Sequence, residues 1–206
     1  GFTKSGTRGR PWCRVAPNVG VPLDSTLMEI QAAYINALEN NPVHPPKIVE
    51  AKDAPCKENK WVGDEIDLLK LPVPLQHADD GERMLQSAGV NTCQTPDGKW
   101  TNWSINRSAV HDKNTMKGFW IGPSQHNGMI FSMWKEKGED MPFAIAFGVP
   151  PVCLYQGASR IPDWVDEYDA ASRRCQSKIL NTWSGHRTAQ IDPEKCRKIN
   201  GREIRF

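Results

Sequence analysis

The sequence predicts a mixed fold of the α/β (α+β) class, and three features carry that expectation. A capped amphipathic helix begins near residue 26, an alternating segment folds back at Pro96-Asp97-Gly98, and a helix over 125–137 leads into an apolar strand at 142–149. Each rests on a different local signal: end-capping chemistry, a turn dipeptide between β-type runs, and a periodic stretch closed by glycine.

Taken in order, residues 1–20 are rich in Gly, Arg and Pro without periodicity and read as an irregular entry segment. The first residue is not Met and no secretory apolar core follows, so the chain is expected to continue upstream. Thr26 and Glu29 stand at capping-box spacing, and Leu27, Ile30, Tyr34 and Leu38 recur on one helical face. Asn40-Asn41-Pro42 ends that helix, His44-Pro45-Pro46 is an extended connector, and Ile48-Val49 is a short strand candidate. Two prolines in Leu68-Leu69-Lys70-Leu71-Pro72-Val73-Pro74-Leu75 exclude a central strand or helix and predict an extended tether over apolar surface. Asp79-Asp80-Gly81 marks a turn.

Strand character starts near Ser87. Ala88 to Thr95 is one arm of a hairpin and Lys99 to Asn106 the other. Asp112-Lys113-Asn114 breaks the chain before Phe119-Trp120-Ile121. The helix from Gln125 to Lys137 puts Met129, Ile130, Met133 and Trp134 on one side, which reads as core packing, and Gly138 as its cap. The strand that follows ends at Pro150-Pro151. Beyond Tyr168 the pattern fades.

Composition narrows the class. With 38% hydrophobic residues and a mean hydropathy of -0.58, the chain reads as a soluble protein, and no apolar run approaches the roughly 20 residues a membrane span requires. The net charge is +2, yet residues from 171 onward hold nine Lys/Arg against three Asp/Glu, leaving an acidic body and a basic tail. The tail's charges are scattered without interleaved aromatics, so nucleic-acid binding is not expected. Six cysteines show no CxxC pair or zinc spacing, which favours reduced, mostly buried thiols and a cytoplasmic protein. The sequons at Asn102 and Asn106 are taken as chance.

The densest chemistry lies between residues 100 and 126. Asn102 and Ser104 alternate, so on a strand both side chains share a face. Arg107 has the opposite parity and needs a bend to join them, and an imidazole follows at His126. From the spacing alone, an exposed strand with ordinary polar residues is the favoured reading.

A longer set of segments resolves that choice. Pro55-Cys56-Lys57-Glu58-Asn59, Asp67 through Pro74, Gln94 through Val110, His111-Asp112-Lys113-Asn114, Gly122-Pro123-Ser124-Gln125-His126 and Ala144 through Pro151 are collinear with one family. From about Lys47 to Glu167 the chain resembles the UbiD decarboxylases, most closely their ferulic/cinnamic acid branch. The resemblance implies an N-terminal α/β region over 1–85 and part of a split β-barrel flavin-binding domain over 86–170, followed by an irregular basic tail at 171–206. It implies a UbiD-type carboxy-lyase that removes carbon dioxide non-oxidatively from an aromatic or α,β-unsaturated carboxylic acid.

The cofactor so implied is prenylated FMN, its phosphate bridged by a divalent metal, Mn2+, with K+ nearby. Asn102, His126 and Glu167 correspond to the metal ligands, an oxygen-and-imidazole set suited to a manganese-like ion. Arg107 corresponds to the catalytic arginine, whose planar fork matches a substrate carboxylate; its alternative is a salt-bridged surface residue. Trp103, Ser104, Ile105 and Gln125 fall on cofactor-pocket positions, Trp103 with a backbone carbonyl for K+ or as plain core packing. The chain departs from the family at Gln156-Gly157-Ala158-Ser159, where a hydroxyl-rich run is usual, and it has no counterpart of the paired catalytic glutamates, which lie past the matching region. The other reading is therefore a non-catalytic flavin- or metal-binding remnant. As partners, a homodimer or a full-length homologue is expected, and neither nucleic acid nor membrane.

Overall fold

Thr26 starts the first helix by reciprocal capping. Its hydroxyl accepts the Glu29 N–H at 3.3 Å, and the Glu29 carboxylate accepts the Thr26 N–H at 2.7 Å. Helix α1 (Leu27–Asn40) then buries Ile30 and Ala37, whereas Leu27, expected on that face, is 40% exposed because it precedes the region of contact. The computed structural model describes residues 9–44, 50, 54, 57–86, 89–118 and 124–174. The candidate strand at Ile48-Val49 and the Phe119-Trp120-Ile121 segment lie outside them. The entry segment is less irregular than expected: a 3-10 turn at Ala16–Val19 buries Ala16.

The proline-bearing tether is extended only from Leu71 onward. A 3-10 turn at Leu68–Lys70 gives way to extended backbone, and Leu68 and Val73 are buried in a cluster with Val110. That cluster supports an antiparallel sheet of β1 (Arg83–Gln86), β4 (Ser108–Val110) and β5 (Met116–Gly118) in the order β1-β4-β5. Sequence reading missed this sheet, whose strands are three or four residues long and too short to show alternation.

The second sheet holds the predicted hairpin. β2 (Val90–Gln94) pairs with β3 (Thr101–Ser104), Cys93 opposite Asn102 and Asn91 opposite Ser104. The Gly98 N–H bonds the Thr95 carbonyl at 2.9 Å, and Gly98 takes φ 72, a value glycine adopts without strain. β6 (Phe143–Ala146) completes the order β3-β2-β6, which leaves β3 at an edge. Both sheets are open among the described residues, so the expected barrel appears here as two separate three-stranded pieces.

Helices cover both faces of the β3-β2-β6 sheet. On one face α2 (His126–Lys137), closed by Gly138 at φ 73, packs Ile130 with Cys93, Trp100 and Met141. On the other, α3 (Pro151–Gly157) and α4 (Glu167–Arg174) contribute Val152, Cys153 and Ala171 to a cluster with Val90 and Trp103. Neither α3 nor α4 was foreseen. Pro150-Pro151, read as a strand stop, is also a helix start, because proline at the first helical turn loses no hydrogen bond. α4 runs through the boundary placed at 170/171, as β1 runs through 85/86; Ala171 and Ser172 are buried. The segment that follows α1 is laced to α4: Asn41 and Arg173 exchange two 2.7 Å bonds, and the Tyr168 hydroxyl donates to the His44 carbonyl at 2.7 Å. No helix among the described residues is long and apolar enough to cross a membrane.

Candidate functional site

Because β3 alternates, Asn102 and Ser104 point to the α2 face and Trp103 to the α3/α4 face. The α2 face is polar next to the apolar cluster around Trp100. Asn127, in the first turn of α2, accepts from the Asn102 side-chain amide and donates to Ser104 Oγ and Asn106 Oδ1, both at 2.6 Å. Asn106 Oδ1 also accepts from Ser104 Oγ at 2.6 Å and Asn91 Nδ2 at 3.2 Å. Three donors on one oxygen fix which way every amide in this relay is turned. The consequence reaches Asn102: its NH2 is committed to Asn127, so its carbonyl oxygen faces His126. Asn102, Asn106 and Asn127 are all buried, which also closes the two sequons to modification.

The His126 ring carries the site outward. Its Nδ1 lies 3.2 Å from Asn102 Oδ1 and 3.7 Å from Glu167 Oε1, while Nε2 lies 3.0 Å from Asp163 Oδ1. The buried Trp100 indole packs edge-on against the ring at 4.9 Å. Glu167 arrives from the start of α4. Its Oε2 accepts the Trp103 N–H at 2.8 Å, and the side chain is 2% exposed. Burial pushes its carboxyl up to about 7, against the pull of that N–H. Burial and the nearby Glu167 charge push the Cys93 thiol up to about 12, which leaves it inert.

These side chains line an open cavity of about 760 Å3, within the range of small-molecule sites. Asn102, Trp103, Ser104, Ile105, Gln125, His126 and Glu167 all line it, so seven of the eight residues singled out in the sequence come together. Trp103 serves twice: its ring packs against Tyr168 at 5.8 Å in the core, and its backbone N–H holds Glu167. Arg107 is the exception. It stands exposed between β3 and β4, outside the lining. Sequence reading missed Asn127, Asn106, Asp163 and Arg160, which do line the cavity; the placement of Asn127 beside His126 was the available signal.

Among the described residues, no three His, Cys, Asp or Glu side chains form a metal-ready group. The donor set here has an amide as its third member. Metal–oxygen bonds of about 2.0–2.6 Å put neighbouring ligands of an octahedron about 2.8–3.7 Å apart. Both His126 Nδ1 separations fall on that scale. An amide oxygen and a carboxylate oxygen thus flank one ring nitrogen, a donor set that fits a divalent cation.

Comparison with known proteins agrees with the geometry. Over 160 residues the chain is 37% identical to a pyrrole-2-carboxylic acid decarboxylase of Pseudomonas aeruginosa, covering 78% of this chain and 32% of that one. It is 39% identical over 158 residues to ferulic acid decarboxylase 1 of Saccharomyces cerevisiae, covering 76% and 31%. The chain therefore spans about a third of the length of the curated relatives it matches. Among solved structures it resembles an evolved dimeric form of the UbiD-class enzyme HmfF from Pelotomaculum thermopropionicum in complex with prFMN. There the TM-score is 0.67 and the identity 29%, over 79% of this chain and 36% of that one. A vanillic acid decarboxylase from Sedimentibacter hydroxybenzoicus, 20% identical, shares the fold with a TM-score of 0.70 over 82% of this chain and 36% of that one. The model of the UbiD 3-octaprenyl-4-hydroxybenzoate carboxy-lyase Rift-related domain matches residues 47–186, most of the chain and all of the cavity wall, and the chain belongs to the UbiD family.

Proposed function

We propose that this chain forms the cofactor-holding part of a carboxy-lyase site, acting on an aromatic or α,β-unsaturated carboxylic acid with prenylated FMN. The observation that carries the proposal is the placement of Asn102 Oδ1 at 3.2 Å and Glu167 Oε1 at 3.7 Å from His126 Nδ1, at the wall of a cavity of about 760 Å3. Asn102, His126 and Glu167 would hold a divalent cation, with Mn2+ preferred by the oxygen-rich donor set. That cation would neutralise the cofactor's phosphate, and Ser104, Ile105 and Gln125 would form the adjoining wall. When bound, prenylated FMN supplies the electron sink for carbon dioxide loss. Trp103 contributes rigidity: locked in the core on one side, it fixes the strand from which Asn102 and Ser104 project. K+ is assigned to the same cavity, near the Trp103 carbonyl.

Arg107 is assigned to the substrate carboxylate. Its exposure and its place three residues beyond Ser104 leave the guanidinium available at the end of the strand that bears the cavity wall. Cysteine usage supports a cytoplasmic setting, with Cys93 and Cys153 both buried and outside any disulfide. A homodimer or a full-length homologue is the proposed partner.

A second reading, a flavin- and metal-binding piece without turnover, is favoured by one observation. Among the described residues, the carboxylates lining the cavity are Asp163 and Glu167, and both face His126. The test is to purify the chain after co-expression with a flavin prenyltransferase, record flavin absorbance and metal content, and assay carbon dioxide release from cinnamic and sorbic acids. Turnover abolished by Arg107→Ala establishes the carboxy-lyase reading. Bound flavin and Mn2+ without turnover establishes the second, and a chain binding neither defeats both.

A further inference from the structure

His126 could present either ring nitrogen to the cavity, and what selects between them lies on another element. A neutral imidazole keeps one proton, on the nitrogen that faces the better acceptor. Nε2 faces Asp163 Oδ1 at 3.0 Å, whereas Nδ1 faces an amide oxygen at 3.2 Å and a carboxylate oxygen at 3.7 Å. We propose that Asp163 is the positioning residue for His126, holding the ring proton on Nε2 and leaving the Nδ1 lone pair free for a divalent cation. This rests on the reading of Asn102, His126 and Glu167 as ligands.

The loop that carries Asp163 is braced as such a role requires. Asp163 is 60% exposed, and an exposed ion pair held only by itself contributes little. Its neighbours supply the order. Pro162 fixes its own φ, and Trp164 adopts φ 65, a conformation uncommon for a bulky residue. The Trp164 ring lies 5.2 Å from Trp100, the same indole that packs on His126, and Trp100 Nε1 donates to the Val165 carbonyl at 3.1 Å. Backbone strain next to a functional group persists only where surrounding contacts determine it. Here those contacts join the loop and the imidazole to one buried side chain.

The experiment uses the 206-residue chain with 15N-labelled histidine, metal-free, at pH 8.5, above the ordinary imidazole range near about 6.5. Long-range 1H–15N correlations report the tautomer, with His126 assigned by its loss in His126→Gln. The expected result is an Nε2–H ring in the parent chain that moves towards Nδ1–H in Asp163→Ala, with the amide spectrum otherwise unchanged. Free Mn2+ followed by paramagnetic resonance should then show an affinity about 10–100-fold lower in Asp163→Ala and an intermediate value in Asp163→Asn, whose amide oxygen still accepts. An Nδ1–H ring in the parent, or a tautomer unmoved by Asp163→Ala, overturns the inference. If the tautomer moves as expected but the parent binds no Mn2+, the role of Asp163 stands and the ligand reading fails.

Discussion

Asn127 shows how much of the site depends on one uncharged side chain. It lines the cavity, and it decides which end of the Asn102 amide faces His126. Asn127→Leu keeps the branched outline and removes the bonds of Asn127 itself, leaving the buried Asn102 NH2 without its acceptor while Ser104 and Asn106 keep their bond to each other. Unpaired buried polar groups cost about 1–3 kcal/mol, so urea denaturation should show a loss of that size. The affinity for Mn2+ should fall about 10–100-fold, as expected when a group orienting a ligand is lost. An affinity unchanged despite lower stability would mean that Asn102 does not need to be oriented. Strand parity put Asn102 and Ser104 on one face, and the family pattern added His126 to them. Asn127 and Asp163 were not legible, since their roles appear only once α2 and the 158–166 loop are brought against β3.

At the scale of elements, β3 is an edge strand whose outward N–H groups need partners. α4 supplies them: Asp166 Oδ1 accepts the Thr101 N–H at 2.7 Å and Glu167 Oε2 the Trp103 N–H at 2.8 Å. The spacing follows from geometry, because adjacent acids at a helix start can reach alternate residues of an extended strand. Asp166→Ala should speed exchange of the Thr101 amide while leaving Asn102, paired with Cys93 in β2, protected. Its stability cost should be about 1 kcal/mol, measured by denaturation. In the other sheet, Glu82 is bound by Lys117 at 2.9 Å and His111 at 2.7 Å, which lowers its carboxyl pKa. A lowered folded-state value means the unfolded chain binds more protons in that window. Stability from Glu82 is thus present above the ordinary glutamate range and lost as pH falls through the lowered value. Glu82→Gln should flatten the acid limb of a melting-temperature profile, and an unchanged limb would dismiss the linkage. The elements legible from sequence were those closed by local chemistry, namely the Thr26–Glu29 cap, the Gly98 turn and the Gly138 cap. Those missed were α3, α4 and the β1-β4-β5 sheet, whose short segments are held by partners distant in sequence.

For the whole molecule, the decisive fact is that one strand serves two cores. Along β2, Val90 points into the cluster with Cys153 and Trp103, while Cys93 points into the cluster with Trp100, Ile130 and Met141. The cavity sits where these layers meet an edge, with Asn102 on one face of β3 and Trp103 on the other. A shared strand cannot lose one face and keep the other, because its backbone pairing to β3 and β6 is common to both. Two buried thiols, one in each cluster, make that coupling measurable. Cys93 and Cys153 should resist iodoacetamide in buffer, whereas Cys13, half-buried near the start of the described chain, should label more readily. In increasing urea both buried thiols should become reactive at one midpoint, read site by site from peptide masses. Two separated midpoints would show that the α2 layer and the α3/α4 layer open independently, and the cavity would then rest on two units rather than one. A single midpoint ties the placement of Asn102, His126 and Glu167 to the cooperative unfolding of the sheet, so that a variant weakening either layer should lower cation affinity only in proportion to the fraction of chains it leaves unfolded.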